Sequence, residues 1–257
     1  MRLEPSLAEV QRAGVPPVLT DEPARALGLL VAFTGREGGA SRGPYASLNL
    51  AARVGDAPEA VAENRRRAAA AAGFDGSALA LARQVHGTEA RAVPPGTAGV
   101  FAEADILTVA ERGPVAAILT ADCAPVVVAG TDALAVIHAG WRGLVSGVIE
   151  QGVAEVGRPL AAWVGPSIRS CCYEVGPEVA ERFDRLELSS GAPGRVDTTA
   201  AATTLLERSG VPHVAASGRC TYCDARYFSY RRDGTTGRQG VFAAWVGDPG
   251  SFAEAAG

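Results

Sequence analysis

The centre of the chain contains three apolar runs that constrain its fold more than any other feature. Val115 to Thr120, Val126 to Ala129 and Ala133 to Ile137 are rich in apolar and β-branched residues. Runs of this composition, bounded by glycine and polar residues, predict β-strands. The short turn at Gly130-Thr131-Asp132 predicts that the last two strands form an antiparallel hairpin.

The predicted hairpin also brings two reactive side chains together. If Gly130-Thr131 is a two-residue loop with glycine first, counting back along both strands places Cys123 opposite His138. Directly opposed Cβ atoms lie roughly 4.5 to 5.5 Å apart, which suits two ligands of one metal ion. Pro125 weakens this register, because proline cannot donate to a β-ladder and favours edges or bulges. A slip of one residue therefore stays open.

Three residues form a candidate metal site: His86, Cys123 and His138. Two of the three histidines in the chain, His86 and His138, lie beside glycine-rich turns at the ends of apolar runs. Functional residues are commonly found at such places. Two imidazoles and one thiolate without a fourth protein ligand are the donor set of a catalytic zinc site. Taken singly, a cysteine is more typical of a small buried hydrophobe and a histidine of a core or surface residue. Residue types alone leave both interpretations open.

Composition bounds the class of protein. Hydrophobic residues make up 47% of the chain, so it can bury a sizeable core. This predicts one domain over residues 1–257, with residues 1–25 as a loosely structured lead-in. The net charge of −4 provides no field that would attract nucleic acid or an anionic membrane. All 24 basic residues are arginine, which excludes a catalytic lysine.

The cysteines indicate the cellular compartment. Five cysteines are an odd number, and the adjacent Cys171 and Cys172 rarely bridge within a core, which predicts reduced thiols and a cytoplasmic protein. The N-terminal residues do not resemble a secretory signal, and the apolar run Ala26 to Phe33 is far shorter than the roughly 20 residues that span a bilayer. Cys220 and Cys223 have the spacing of a redox or metal motif, but a single pair favours ordinary thiols.

Strands and helices alternate irregularly along the chain. A strand is predicted at Leu29 to Phe33. A helix is predicted at about 57–72, with Asp56 as its N-cap and Gly73 at its C-terminal end. A second helix is predicted to follow Gly143 and to run to Val156. Because the elements lack strict βαβ alternation, the pattern favours an α+β fold with mixed β-sheets.

Eight ordered strings resemble one known family. They are Phe33-Thr34-Gly35-Arg36-Glu37-Gly38-Gly39, Gly43-Pro44-Tyr45-Ala46-Ser47-Leu48-Asn49-Leu50, Gln84-Val85-His86-Gly87, Ala121-Asp122-Cys123, His138-Ala139-Gly140-Trp141-Arg142-Gly143, Val164-Gly165-Pro166-Ser167-Ile168, Cys172-Tyr173-Glu174-Val175-Gly176 and the segment from Ser229 to Arg238. The chain resembles the laccase-domain family, also called multicopper polyphenol oxidase, purine nucleoside phosphorylase or peptidoglycan editing factor. The resemblance covers about Val31 to Val246, and so many ordered strings are highly specific.

The resemblance implies a fold, a cofactor and an activity. The fold would be a two-layer core of mixed β-sheets flanked by helices, and Zn²⁺ would be held by the positions that match His86, Cys123 and His138. The implied reactions are phosphorolysis of adenosine, inosine, guanosine and methylthioadenosine, and deamination of adenosine. The partners would therefore be small purine nucleosides and phosphate, and the protein would be a monomer or homodimer.

Three other functions can be compared with this expectation. A multicopper oxidase needs many imidazoles and a Cys/His/Met centre, which three histidines and one methionine cannot build. The alternative that the resemblance also implies is a hydrolase that edits misincorporated peptidoglycan precursors, with Cys123 as a nucleophile activated by His138. His86 distinguishes the two, because a Cys/His pair does not need it. A non-enzymatic binding module lacks support, since no charged or amphipathic interaction segment is evident.

Six further residues are candidates for the site. Arg142 is the first candidate for phosphate, because it precedes a predicted helix N-terminus and follows His138 by four residues. Arg42 in the glycine-rich loop is the second. A surface ion pair explains either arginine equally well, and backbone capping is an alternative for an aspartate beside a turn. The others are Asp122 and Glu174 as general bases or partners of the histidines, and Asn49 and Gln84 as hydrogen-bonding groups for purine or ribose.

Overall fold

The computed structural model describes residues 3–189 and 191–256, and it contains two mixed β-sheets with helices around them. This confirms the predicted α+β class. In spatial order the first sheet consists of β1 (Ala8–Val10), β2 (Val18–Thr20), β3 (Leu29–Thr34), β13 (Gln239–Trp245), β8 (Val115–Thr120), β4 (Leu79–Arg83) and β6 (Gly99–Glu103). The second sheet consists of β12 (Val214–Ala216), β11 (Pro159–Val164), β9 (Ala124–Gly130), β10 (Leu134–Ala139), β7 (Ile106–Val109) and β5 (Ala90–Ala92).

Helices occupy the segments between the strands of the described chain. They are α1 (Glu22–Ala26), α2 (Pro58–Ala72), α3 (Trp141–Val145), α4 (Val148–Ala154), α5 (Pro177–Arg185), α6 (Thr198–Arg208), α7 (Tyr230–Asp233) and α8 (Pro249–Ala256), with 3-10 turns at Gly43–Tyr45 and Gly76–Ala78. In the described residues, no helix has both the length and the apolar character needed to cross a membrane.

The sheets pack face to face, and helices cover their outer sides. Alternate residues of β9 face opposite layers, as the two-residue period of a strand requires. Val127 belongs to the same core as Val31 and Val241 of the first sheet. Val126 instead packs in the core that contains Leu205 of α6. A third core packs α2 against the outer face of the first sheet. Because both faces of β9 are covered, this strand is apolar throughout.

The hairpin of β9 and β10 is confirmed, but its predicted register is wrong. His138 lies opposite Pro125, not opposite Cys123. The turn consists of Thr131 and Asp132, because Gly130 still belongs to β9 and its N–H donates to Ala133 O at 3.0 Å. The shift equals two residues, which keeps every side chain on its predicted face. Cys123 and His138 are therefore diagonal neighbours on one face.

Position 130 of β9 requires glycine because another part of the backbone passes close to it. A Cβ atom at this position would lie 2.2 Å from Val156 O. We expect Gly130→Ala to lower the free energy of unfolding by about 1–3 kcal/mol, the usual cost of overpacking. Urea unfolding would measure it. Gly218→Ala is the matched control, since its nearest neighbour is a flexible Arg169 nitrogen at 3.9 Å. An equal effect of both substitutions would contradict this explanation.

Helix α2 has the predicted length, but its predicted N-cap is wrong. Gly73 ends the helix in the left-handed region with φ of 75°, as expected. The N-cap is Ala57, which makes no side-chain hydrogen bond. The Asp56 carboxylate is used elsewhere: it accepts hydrogen bonds from Ser41 Oγ at 2.6 Å and Asn49 Nδ2 at 2.8 Å. Asp56 therefore holds the glycine-rich loop.

The helix predicted after Gly143 is two short helices, and the first begins earlier. Helix α3 starts at Trp141, and Gly147, with φ of 90°, separates it from α4. Glycine adopts this conformation without steric cost. The sequence predicted that Arg142 precedes the helix. It lies instead inside the first turn of α3.

Residues 1–25 were expected to be loosely structured, but β1, β2 and most of α1 lie within them. Asp21 explains much of this order, because its carboxylate caps α1 at Ala24 N and accepts a hydrogen bond from Trp163 Nε1 at 2.8 Å. Trp163 is fully buried in β11. The lead-in is therefore attached to the second sheet. Residues 1 and 2 of this segment lie outside the described residues.

Candidate metal and substrate site

Three crossings of the chain from the first sheet to the second meet at one place. Strands β4, β6 and β8 are neighbours that run in the same direction, so their carboxyl ends lie at the same edge. The segments that leave them carry His86, Asp105 and Cys123, and His138 reaches the same point from β10. Ligand sites commonly form outside the carboxyl ends of parallel strands.

The predicted ligands come together. The ligand atoms of His86, Cys123 and His138 all lie within 4.8 Å of one another, and the imidazole centroids are 4.7 Å apart. Ligands at about 2.0–2.3 Å from one ion lie roughly 3.3–3.8 Å apart in tetrahedral geometry, so small side-chain rotations suffice to share an ion. A Cβ on Gly140 would lie 3.1 Å from both Cys123 Sγ and His86 Cδ2. Glycine at this position leaves room for the ligands.

Asp105 organises two of these ligands, and the sequence analysis missed it. Its Oδ1 accepts hydrogen bonds from His138 Nδ1 at 2.7 Å and from the His86 backbone N–H at 3.0 Å. Its Oδ2 accepts the Gly87 N–H at 2.7 Å. The carboxylate is fully buried. It leaves Nε2 of His138 for an ion, and carboxylates commonly orient metal-binding histidines in this way. The one signal in the sequence was an isolated acid directly before a buried strand.

The electrostatics of the site favour a thiolate. Burial raises the pKa of Cys123, but the charge and hydrogen bond of His138, with a contribution from His86, outweigh burial and lower the pKa to about 6. Burial lowers the pKa of His138, but Cys123 and Asp105 outweigh burial and raise it to about 9. The thiolate is the form that binds metals and acts as a nucleophile.

A cavity of about 660 Å³ opens beside the three ligands, a size typical of small-molecule sites. Its lining includes the aromatic residues Trp141, Tyr173 and Tyr230. Five arginines also line it: Arg53, Arg65, Arg83, Arg231 and Arg238. Aromatic rings can stack on a planar base, and arginines can bind an anion in a fork geometry.

Two of the arginines are available for an anion. Arg65 and Arg238 are half-buried, and burial lowers the pKa of both guanidinium groups. Arg65 Nε donates to Leu50 O, and Arg238 Nη1 donates to two carbonyl oxygens. Neither guanidinium pairs with a carboxylate in the described part of the chain. Arg83, by contrast, pairs with Glu103.

The structure places Asp122 and Gln84 in the cavity wall with their polar atoms in use. Asp122 Oδ1 accepts a hydrogen bond from Thr221 Oγ1 at 2.6 Å, and Oδ2 accepts the Arg231 N–H at 2.7 Å. The Gln84 side-chain amide donates a hydrogen bond to Leu119 O and accepts one from the Leu119 backbone N–H. Both residues therefore hold the wall in shape. Asp122 is the single carboxylate in the described lining, so the cavity is cationic.

The other predicted residues are outside the described cavity lining. Asn49 is buried behind the wall, where its Oδ1 accepts the Arg238 N–H at 2.9 Å. Arg142 is exposed and its guanidinium stacks on Trp141 at 4.4 Å, because the early start of α3 turns it outward. Arg42 and Glu174 are exposed. Asn49 thus positions a cavity arginine, and the other three do not face the cavity.

Comparison with known proteins identifies the family of the chain. The family model described as multi-copper polyphenol oxidoreductase laccase matches residues 30–246. The chain belongs to this laccase family. The matched segment contains all three ligands and all the crossings that meet at the site. The family name refers to copper, whereas the site described above has one group of three ligands.

Relatives within the laccase family are similar over most of their length. A Deinococcus radiodurans protein named purine nucleoside phosphorylase is 44% identical over 222 residues, covering 80% of this chain and 85% of the relative. The Escherichia coli protein named purine nucleoside phosphorylase YfiH is 38% identical, covering 84% and 93%. The crystal structure of YlmD from Geobacillus stearothermophilus superposes with a TM-score of 0.82 at 32% identity, covering 93% and 99%.

Proposed function

We propose that this protein is a zinc-dependent purine nucleoside phosphorylase that acts on adenosine, inosine, guanosine and methylthioadenosine, and that it also deaminates adenosine. One observation carries the proposal: a three-ligand His/Cys/His group and two half-buried arginines without acidic partners face one cavity. The names of the relatives point the same way. We place the reaction in the cytoplasm, where thiols stay reduced.

Zinc fits this donor set, and a multicopper centre does not. Two imidazoles and one thiolate form a three-ligand group, with no fourth His, Cys, Asp or Glu in it among the described residues. The third histidine, His213, lies in the segment before β12, so the chain lacks the imidazoles of a multicopper centre. When bound, zinc supplies a Lewis acid and an open coordination position.

The protein side chains would hold the reactants. Arg65 and Arg238 bind phosphate, since they offer N–H groups in a poorly hydrated place. The aromatic rings stack on the purine. A phosphate oxygen then bonds to C1′ of the ribose as the bond between C1′ and the base breaks, and the base leaves with the electron pair and takes up the proton that the phosphate loses. Asp105 keeps His138 oriented. Of the two predicted general bases, Asp122 is the one in the cavity.

Incubation with nucleosides tests the proposal. Inosine and adenosine are each incubated with the zinc-loaded protein, with and without phosphate, and the products are separated by chromatography. We expect phosphate-dependent release of hypoxanthine or adenine, and inosine formed from adenosine reports deamination. A Cys123→Ala control should lose both. If the folded, zinc-loaded protein released no base, the phosphorylase proposal would fail.

Arg238→Met removes one candidate phosphate ligand while keeping the length of the side chain. We expect the KM for phosphate to rise roughly 10- to 100-fold, the equivalent of about 1.5–3 kcal/mol for a hydrogen bond to a charged group. The KM for inosine should change less. Arg42→Met is the matched control, since Arg42 is exposed and outside the described lining. Equal effects of the two variants would remove Arg238 from the phosphate site.

A hydrolase remains the second candidate, because one feature of the geometry favours it. Asp105 accepts a hydrogen bond from His138, and Cys123 Sγ lies within 4.8 Å of the His138 imidazole, an order similar to that of Cys/His hydrolases with an orienting acid. Such an enzyme could edit misincorporated peptidoglycan precursors. His86 has no role in that chemistry, so its replacement separates the two candidates.

A further inference from the structure

The other four cysteines form a second cluster, separate from the His/Cys/His group. The sulfur atoms of Cys171, Cys172, Cys220 and Cys223 all lie within 4.8 Å of one another. Cys223 Sγ is 3.1 Å from Cys172 Sγ and 3.5 Å from Cys171 Sγ. All four are free thiols. We call these residues the four-cysteine cluster.

The fold gathers this cluster from two distant segments. Strands β11 and β12 are parallel neighbours, so the segments that follow them lie at the same edge of the second sheet. The first segment carries Cys171 and Cys172, and the second carries Cys220 and Cys223. A β-bridge between Ser167 and Cys220 holds the segments side by side.

The position and spacing of the cysteines also suit a bound ion. Cys220 is buried, and its bridge to Ser167 places it beside the segment that carries Cys171 and Cys172. The spacing of Cys220 and Cys223 is that of structural zinc sites. A cluster of ordinary thiols needs none of these features.

We propose that the four-cysteine cluster binds a structural zinc ion, separate from the His/Cys/His site. Four thiolates at about 2.3 Å from zinc lie roughly 3.8 Å apart in a tetrahedron, close to the observed arrangement. Four protein ligands close the coordination shell, which is typical of structural sites and unlike the open three-ligand site. Arg195 donates to the carbonyl oxygen of Cys171, and its positive charge partly offsets the negative charge of a zinc tetrathiolate.

The ion would fix one wall of the substrate cavity. Thr221 lies between Cys220 and Cys223 in the chain, and its hydroxyl bonds Asp122, the neighbour of Cys123. Tyr173, which lines the cavity, directly follows Cys172. A zinc ion in the four-cysteine cluster therefore positions the cavity wall without touching the substrate.

Zinc analysis of a variant that lacks the first site tests this proposal. His86→Ala/Cys123→Ala should retain one zinc ion per chain, and X-ray absorption at the zinc edge should show four sulfur ligands at about 2.3 Å. Adding Cys171→Ser/Cys223→Ser, two exposed positions, should remove that ion. The result does not depend on phosphorylase activity, so failure of the proposed function would leave it intact.

Three outcomes would overturn the proposal. The first is that the His86→Ala/Cys123→Ala protein contains no metal although zinc was supplied during its purification. The second is a zinc site with nitrogen or oxygen in place of sulfur. The third is disulfide bonds among the four cysteines in the native protein, detected by mass spectrometry as the loss of two hydrogens per bond. If the serine variant failed to fold, the X-ray absorption spectrum of the His86→Ala/Cys123→Ala protein would still show whether sulfur atoms bind the zinc ion.

Discussion

Replacement of His86 by Ala is expected to remove zinc from the cavity site and to abolish phosphorolysis in the same protein. The substitution leaves Cys123 and His138 as two ligands, and loss of a direct ligand should weaken binding by more than the 10- to 100-fold typical of outer partners. His86 is exposed, so the fold should persist. Zinc content and hypoxanthine release measured on the same sample test this expectation.

His213→Ala is the matched control for His86→Ala. It removes the same side chain from the segment before β12, outside the metal group, and should leave both readouts unchanged. Zinc bound to the four-cysteine cluster would remain in both variants, so the expected loss is one ion. Full phosphorolysis by a His86→Ala protein without cavity zinc would contradict the proposed zinc requirement.

Replacement of Asp105 by Asn should weaken both the metal site and the fold. The Asp105 carboxylate accepts hydrogen bonds from three backbone N–H groups and from His138. Asn has a single acceptor oxygen and presents an NH₂ group to donors, so at least one buried group loses its partner at a cost of roughly 1–3 kcal/mol. We expect zinc affinity to fall about 10- to 100-fold, because His138 loses its orientation.

Asp75→Asn is the control for this substitution. Asp75 is exposed and accepts one hydrogen bond from Ser77 N, so its amide should change stability little. Urea unfolding in the presence of chelator isolates the effect on the fold, and zinc titration isolates the effect on the site. An Asp105→Asn protein with wild-type zinc affinity would show that the hydrogen bond does not serve the metal.

The grouping of the three candidate metal ligands could be predicted from sequence because it tolerates an error in register. The predicted hairpin was displaced by two residues, and a displacement of two preserves the face of every side chain. Cys123 and His138 therefore met as expected. The turn was misplaced because Gly130 looked like a turn residue, whereas its role is to allow the backbone near Val156 to approach.

Residues brought in by tertiary topology could not be predicted. Asp105 reaches His138 because β6 leads into the second sheet beside β10, and local sequence does not encode that proximity. Arg238 is part of a recognised string, but its place in the cavity depends on where β13 joins the first sheet. Arg142 was favoured by its distance of four residues from His138, and the early start of α3 directs it away. The local sequence of Cys220 and Cys223 indicates ordinary thiols, because Cys171 and Cys172, which complete the four-cysteine cluster, lie far away in the chain, before α5.

The way in which the chain crosses between its sheets has a consequence for folding. The crossings near His86, Asp105 and Cys123 form a seam between two sheets that elsewhere pack mainly through a shared apolar core. An ion shared across this seam would act as a clamp, because a ligand that binds only the folded state stabilises it by about 2.7 kcal/mol at 100 times its Kd. The free energy of unfolding would then depend on metal supply. Shortage of the metal would lower the amount of folded protein as well as the proposed activity.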